Sequence, residues 1–347
     1  MLRIKGITYG GAALLLLAVS MIASLSIGSA GLSFVDVWGI LIHQLPGMPD
    51  PADKWTSGEI AIVTQVRLSR VWLDVLVGAC LALAGAGFQG VLRNPLADPY
   101  TLGVASGSSV GAAFIILTGM QLALGLWTIP VVAFGTGILT LIAVIGLSRT
   151  RGVMQIETII LSGVIIQSFL GAFVSLMVSM SQGVVNQILF WIMGSLAMKS
   201  WEHVYMMIPF LVIALPILLY FSQSLNLFTL GERHASHLGV KVERTKLIVM
   251  LVSTLLTAAA VSVSGVIGFV GLVVPHLIRL IVGPDYRLII PLAGIGGGIF
   301  MLWADTLARN VLSPKELPLG VVTALIGAPF FAYLLHRRMK VEGGAKS

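Results

Sequence analysis

At 347 residues, 57% hydrophobic and only 10% charged, the chain has too little polar surface to coat a water-soluble particle of its size. A mean hydropathy of +1.00 places it in a bilayer, so the net charge of +7 reports Lys and Arg kept on the cytoplasmic side rather than a nucleic-acid partner. The single cysteine, Cys80, excludes an intrachain disulfide and a cysteine-based zinc or iron–sulfur site, and reads as a buried structural thiol.

The elements follow from the charge-free runs, because a bilayer core needs about 20 apolar residues per helical crossing. Residues 6–35 carry no charge and follow the basic start Arg3 and Lys5. Their greasy centre at 14–17 and small-residue exit Gly28-Ser29-Ala30 imitate a signal peptide, but the run is longer than a signal core and predicts an uncleaved first helix. A second crossing is expected around 71–92. Residues 99–148 lack Asp, Glu, Lys and Arg altogether and hold two crossings, divided near 119–130. The uncharged run 158–198 holds one span and a shorter helical piece, 185–198, that folds back at the interface. One crossing fits 203–221. Residues 247–282 hold a full span and a shortened one, broken around Ser264-Gly265 and Gly268. One each fits 288–308 and 319–336, which makes ten.

Charge fixes the orientation. The end, His336-Arg337-Arg338-Met339-Lys340, is as basic as the start, so both termini are expected in the cytoplasm and the number of crossings is even. Ten helices put Arg3, Lys5, Arg93, Arg149, Arg151, Arg233, Lys241, Arg244, Lys246, Arg279, Arg287, Arg337, Arg338, Lys340 and Lys346 inside. Only Lys54, Arg67, Arg70, Lys199, Arg309 and Lys315 remain outside. The asymmetry supports the count.

Small residues then predict close helix packing: Gly103, Gly107 and Gly111 at four-residue spacing, Gly294 and Gly298 likewise, and Ala82, Ala84, Gly85, Ala86 and Gly87 crowded on one helix. Enzyme chemistry finds no foothold. His234 and His237 lack carboxylate or cysteine companions, His276 sits beside Arg279 near a helix end, and no H-E-x-x-H or intramembrane aspartate pair is evident. Asp74 and Asp305 each have an arginine one turn away, Arg70 and Arg309, so local ion pairing is expected rather than an ion-coupling path, which disfavours a secondary transporter. No G-x-x-x-x-G-K-[ST] loop exists to cradle ATP. An active transporter would need a separate motor, and the stretch 226–243 offers the grip. It reads as one or two short helices with Leu227, Phe228, Leu230, Leu238 and Val240 too apolar for a free loop.

Five blocks resemble a known family in its order: RLSRVWLDVLVGACLALAGAGFQGVLRNPLADPYTLGVASGSSVGAA (67–113), FWIMGSL (190–196), LGERHASHLGV (230–240), SGVIGFVGLVVPHLIRLIVGPDYR (264–287) and ELPLGVVTALIGAPFF (316–331). The chain is similar to the FecCD/BtuC-type permeases that import iron chelates and vitamin B12 by ABC transport. The resemblance implies an all-α membrane protein with ten transmembrane helices, a type II ABC importer fold like the vitamin B12 permease, formed by residues 1–347 as a single polytopic transmembrane domain. It implies no cofactor and no catalytic or metal site in this chain. Its partners would be ABC ATPase subunits inside, an extracytoplasmic substrate-binding protein outside, a second permease copy or paralogue across a central path, and the lipid bilayer. Ferric siderophores are the first expectation for cargo, with cobalamin or haem as alternatives.

The same resemblance gives residues roles. Arg67, Arg70 and Arg309 match exposed arginines that receive acidic knobs of the binding protein. Gly231 and Gly239 would make the turns of the ATPase-coupling segment, with Glu232, Arg233, His234 and Leu238 on its contact face. Trp191, Gly194 and Ser195 match the outer gate helix, and Gln167, Ser168 and Ser175 would line the path. Glu157, at the inner gate segment 154–158, departs from the small hydroxyl residues expected there.

Overall fold

A computed structural model describes residues 2–28, 31–44, 47–48, 54–125, 127–150, 153–154, 156–181 and 183–344. Among the described residues the regular structure is helical apart from one pairing of two two-residue strands. In order the helices are α1 (Leu2–Ser26), α2 (Phe34–His43) and α3 (Ser57–Ala61), the last running through a π-helical stretch, Ile62–Arg67, into α4 (Leu68–Leu92). A 3-10 turn, Pro99–Leu102, leads to α5 (Val104–Thr118), α6 (Met120–Leu124) and α7 (Thr128–Ser148). Strands Arg149–Thr150 and Val153–Met154 pair antiparallel before α8 (Ile156–Met180). Then come α9 (Val185–Ile192), α10 (Trp201–Phe228), α11 (Glu232–His237), α12 (Val242–Ser264), α13 (Val270–Val282), α14 (Tyr286–Asn310) and α15 (Leu319–Gly344).

Among the described residues, seven helical stretches are long and apolar enough to cross a membrane: Lys5–Ser26, Ser57–Leu92, α7, α8, α10, α12 and α14. The other three expected crossings coincide with shorter apolar helices, at α5, α13 and the start of α15. The first span ends earlier than the charge-free run predicts. Gly31 takes φ +68, and a capping box between Ser33 and Asp36 starts the separate helix α2. The second crossing also begins earlier than residue 71, because Thr56 and Glu59 cap α3 and the helix continues unbroken through the π turn.

The core is built around α4. In the most hydrophobic window of the Ser57–Leu92 helix, 94% of residues are buried, and α14, α12, α10 and α13 surround α4. Such burial from all sides requires backbones to touch. A Cβ on Gly85 would lie 1.8 Å from the Gly271 carbonyl of α13, and one on Gly78 would lie 2.1 Å from the Gly297 carbonyl of α14. Gly107 and Gly111 likewise face Thr140 and Thr136 of α7. Small residues therefore set the helix spacing, as expected where lipid removes the hydrophobic drive between helices. Cys80 is buried and free in this core. Helix α8 is far less enclosed: only 17% of the corresponding window is buried, and Leu161, Ile165, Phe169 and Leu176 point away from the rest of the chain.

Candidate functional site: outer network, gate helix and inner elbow

Three places gather the residues singled out above. The first is a buried ion network at the ends of α4 and α14. Arg70 donates through Nε and Nη2 to Asp305 at 2.8–3.1 Å, and through Nη1 and Nη2 to the two Glu316 oxygens at 2.9 and 2.8 Å. Arg309 lies 2.8 Å from Asp305 Oδ2 and donates to Ser24 Oγ on α1 at 3.1 Å. Arg67 donates to the Leu25 carbonyl, and its guanidinium occupies the space a side chain at Gly28 would fill. Asp74 is fully buried among these groups, with neither carboxylate oxygen hydrogen-bonded.

This arrangement corrects two expectations. The three arginines are buried rather than exposed: 5% of Arg67, 7% of Arg70 and 9% of Arg309 meets solvent. Arg309 does pair with Asp305 one turn away, but Arg70 turns from Asp74 to reach Asp305 and Glu316. A guanidinium is planar and forked, and here two carboxylates from different segments fill both edges of the fork, which a single neighbour on its own helix cannot do. Burial alone would raise the Glu316 carboxyl, but the Arg70 hydrogen bonds and charge outweigh it and hold that group below its usual range.

The second place is the short helix α9, where the outer gate is expected. The folded-back helix α9 is shorter than the piece expected at 185–198, because Gly194 takes φ +76 and turns the chain. Its end is stitched to two other elements. The Ser195 N–H donates to the Ser264 carbonyl at 2.8 Å, while the Leu319 and Gly320 N–H groups donate to the Gly194 and Met193 carbonyls at 2.9 Å. The approach is so close that a Cβ at Gly265 would sit 2.1 Å from the Trp191 carbonyl. Two cavities flank α9. One of about 590 Å3 is lined by Gln187, Trp191, Ser195 and Lys199, and one of about 320 Å3 by Ile192, Gln167, Tyr100, Ser106 and Ser109.

Gln167 lines the smaller of these cavities. Ser168 and Ser175 do not; they are exposed on the open face of α8, with Ser175 Oγ bonded to the Gly171 carbonyl. Tyr100, Ser106 and Ser109 were missed by the sequence reading. Tyr100 hydroxyl donates to the Ile267 carbonyl at 2.8 Å and accepts from the Ile267 N–H at 3.2 Å, tying the α4–α5 link to the α12–α13 break. The two serines lie in the glycine-rich stretch, where they read only as packing residues. Of the inner gate segment, Glu157 is exposed in the first turn of α8, and the position of Gln155 lies outside the described residues.

The third place is the elbow between α10 and α12. A single short helix, α11, stands between Gly231 at φ +101 and Gly239 at φ +88, so both glycines make turns as expected. Arg233, His234 and Leu238 are exposed. Glu232 is not on that free face: it accepts from Arg93 Nη2 at 3.0 Å, just past α4, and from Lys246 Nζ at 2.6 Å, in the first turn of α12. Lys246 itself is buried. Nearby, Asp285 caps α14 and accepts from Arg287 and from Asn226 of α10; those bonds, opposed by partial burial, hold its carboxyl at about 2.

These residues build a helical bundle with a central pillar, a folded-back helix against a broken span, and an elbow clamped to the pillar. The chain belongs to the FecCD transport family, whose family model matches residues 16–337. It is 43% identical over 328 residues to the uncharacterised ABC transporter permease YvrB of Bacillus subtilis, covering 93% of this chain and 91% of that one. It is 41% identical over 292 residues to the cobalamin import system permease BtuC of Halobacterium salinarum, covering 84% and 76%. Among solved structures, an inward-facing conformation of a metal-chelate type ABC transporter superposes with a TM-score of 0.81 at 35% identity, covering 94% of this chain and 98% of that one.

Proposed function

We propose that this chain is the membrane permease subunit of a binding-protein-dependent ABC importer for ferric siderophores, with both termini cytoplasmic. A separate ATPase would dock on the elbow 230–240. A substrate-binding protein would dock outside, over the rim formed by Arg67, Arg70 and Arg309, and a second permease copy or paralogue would complete the path. Cobalamin and haem are the alternatives for cargo, since a relative named for cobalamin and a structure described as metal-chelate type match at comparable identity. Alternating access is the mechanism: nucleotide-driven motion of the elbow rocks α8 and its neighbours.

The clamp at Glu232 is the observation that carries this reading. It joins the elbow to the end of α4 and the start of α12, so a push on α11 passes directly to the most buried helix of the fold. A solvated loop would have no use for a buried lysine. The test is reconstitution with the cognate ATPase and binding protein. E232Q should keep ATP hydrolysis but lower cargo moved per ATP by tenfold or more. Uphill uptake by the chain alone, or coupling undiminished by E232Q, would overturn the reading.

A further inference from the structure

The 590 Å3 cavity behind the gate helix is furnished with hydrogen-bond donors and lined by no carboxylate. Lys199, in the turn between α9 and α10, is its only charged residue. Among the described residues Lys199 has no ion-pair or hydrogen-bond partner; Glu202, three residues on in the first turn of α10, is exposed and makes no ion pair with it. Burial pulls the Lys199 ammonium below its usual range, a penalty that a bound anion would offset. The Trp191 indole N–H, which can only donate, is buried in the same wall with no acceptor. Gln121 and Gln187 add side-chain amides to the lining.

The turn that delivers Lys199 is itself unusual. Met198, fully exposed, holds φ +58, a conformation that residues other than glycine rarely adopt. Ser195 Oγ accepts from the Ala197 N–H at 3.1 Å and orders the same turn. An exposed methionine gains nothing from that backbone, whereas the residue after it is placed in the cavity. A buried donor left unmatched beside an unpaired ammonium is what a ligand acceptor satisfies, and the volume is that of a small-molecule site.

We infer that this cavity is an anion site in which a carboxylate or other oxyanion of the cargo pairs with Lys199 and accepts from the Trp191 indole. The attribution to cargo rests on the permease reading; the site does not. It selects metal chelates that carry negative charge over neutral or cationic ones. Because the site touches α9 on the side opposite Gln167, filling it links cargo to the position of the gate helix.

The experiment uses the full chain in nanodiscs, without ATPase or binding protein, titrated calorimetrically with citrate at low ionic strength. Saturable one-to-one binding is expected. K199Q should weaken it at least tenfold and W191F a few-fold, while K199R stays within about threefold of wild type and certifies that the fold tolerates change there. Absence of saturable binding, or binding equal in K199Q, overturns the site. A second arm measures capture of the purified cargo-free binding protein. Unchanged capture by K199Q keeps the cargo assignment, and a tenfold loss reassigns the anion to an acidic side chain of that protein and overturns it. Neither arm depends on transport, so failure here is distinguishable from failure of the importer reading.

Discussion

Arg70 shows how much a single side chain can be asked to hold. It is bonded on one edge to buried Asp305 and on the other to half-exposed Glu316. The two partners are unequal. Removing Arg70 leaves Asp305 and Asp74 buried with one fewer cation, and breaking a buried pair in this way costs about 3–5 kcal/mol. Removing the Glu316 charge costs much less, because solvent already screens that carboxylate. If the outer rim receives acidic groups of a binding protein, a docking carboxylate must displace Glu316 from the Arg70 fork. E316Q should therefore leave the melting temperature within a few degrees while tightening capture of the binding protein severalfold, whereas R70L should melt far lower. Equal destabilisation by the two changes, or capture unaffected by E316Q, would show that the fork is purely structural.

At the scale of elements, close backbone contact decides stability. Helix α4 meets α13 at Gly85 and Gly271 with no room for a Cβ. G85L should thus prevent assembly of the bundle, read as loss of the monodisperse peak in detergent, while a leucine at exposed Gly11 of α1, where nothing lies within 4 Å, should be silent. Normal behaviour of G85L would mean that α4 and α13 are not packed as described. The crossings and their breaks were legible in the sequence because lipid imposes a length and a charge rule on every span. The glycine-rich helices were legible as packing surfaces for the same reason. Side-chain commitments were not. The fork of Arg70 spans partners more than two hundred positions apart, and the clamp on Glu232 reaches back to Arg93. No local spacing announces such pairs, so arginines read as exposed are buried, and a glutamate read as a contact residue is an anchor. Tyr100 was hidden similarly, since its partner is the backbone of Ile267 across the fold.

Taken as a whole, the molecule is asymmetric: α4, α12 and α14 are enclosed, while α8 presents nearly its full length to whatever surrounds the chain. Lipid would satisfy the apolar residues of that face, but Gln167, Ser168 and Ser175 are also on it, and exposed polar groups at membrane depth belong against protein or a water-filled path. A second permease subunit facing α8 across a central axis meets both requirements. The single native cysteine is buried in α4, which leaves the surface free for introduced ones. S168C and S175C should form dimers in membranes with a short bifunctional maleimide, and V212C, on the exposed face of α10, should not. The substitutions are nearly isosteric, so the bundle itself is undisturbed. Equal cross-linking at Val212 would point to random collision, and failure at both serines in a preparation that sizes as a dimer would place α8 in lipid and move the path elsewhere.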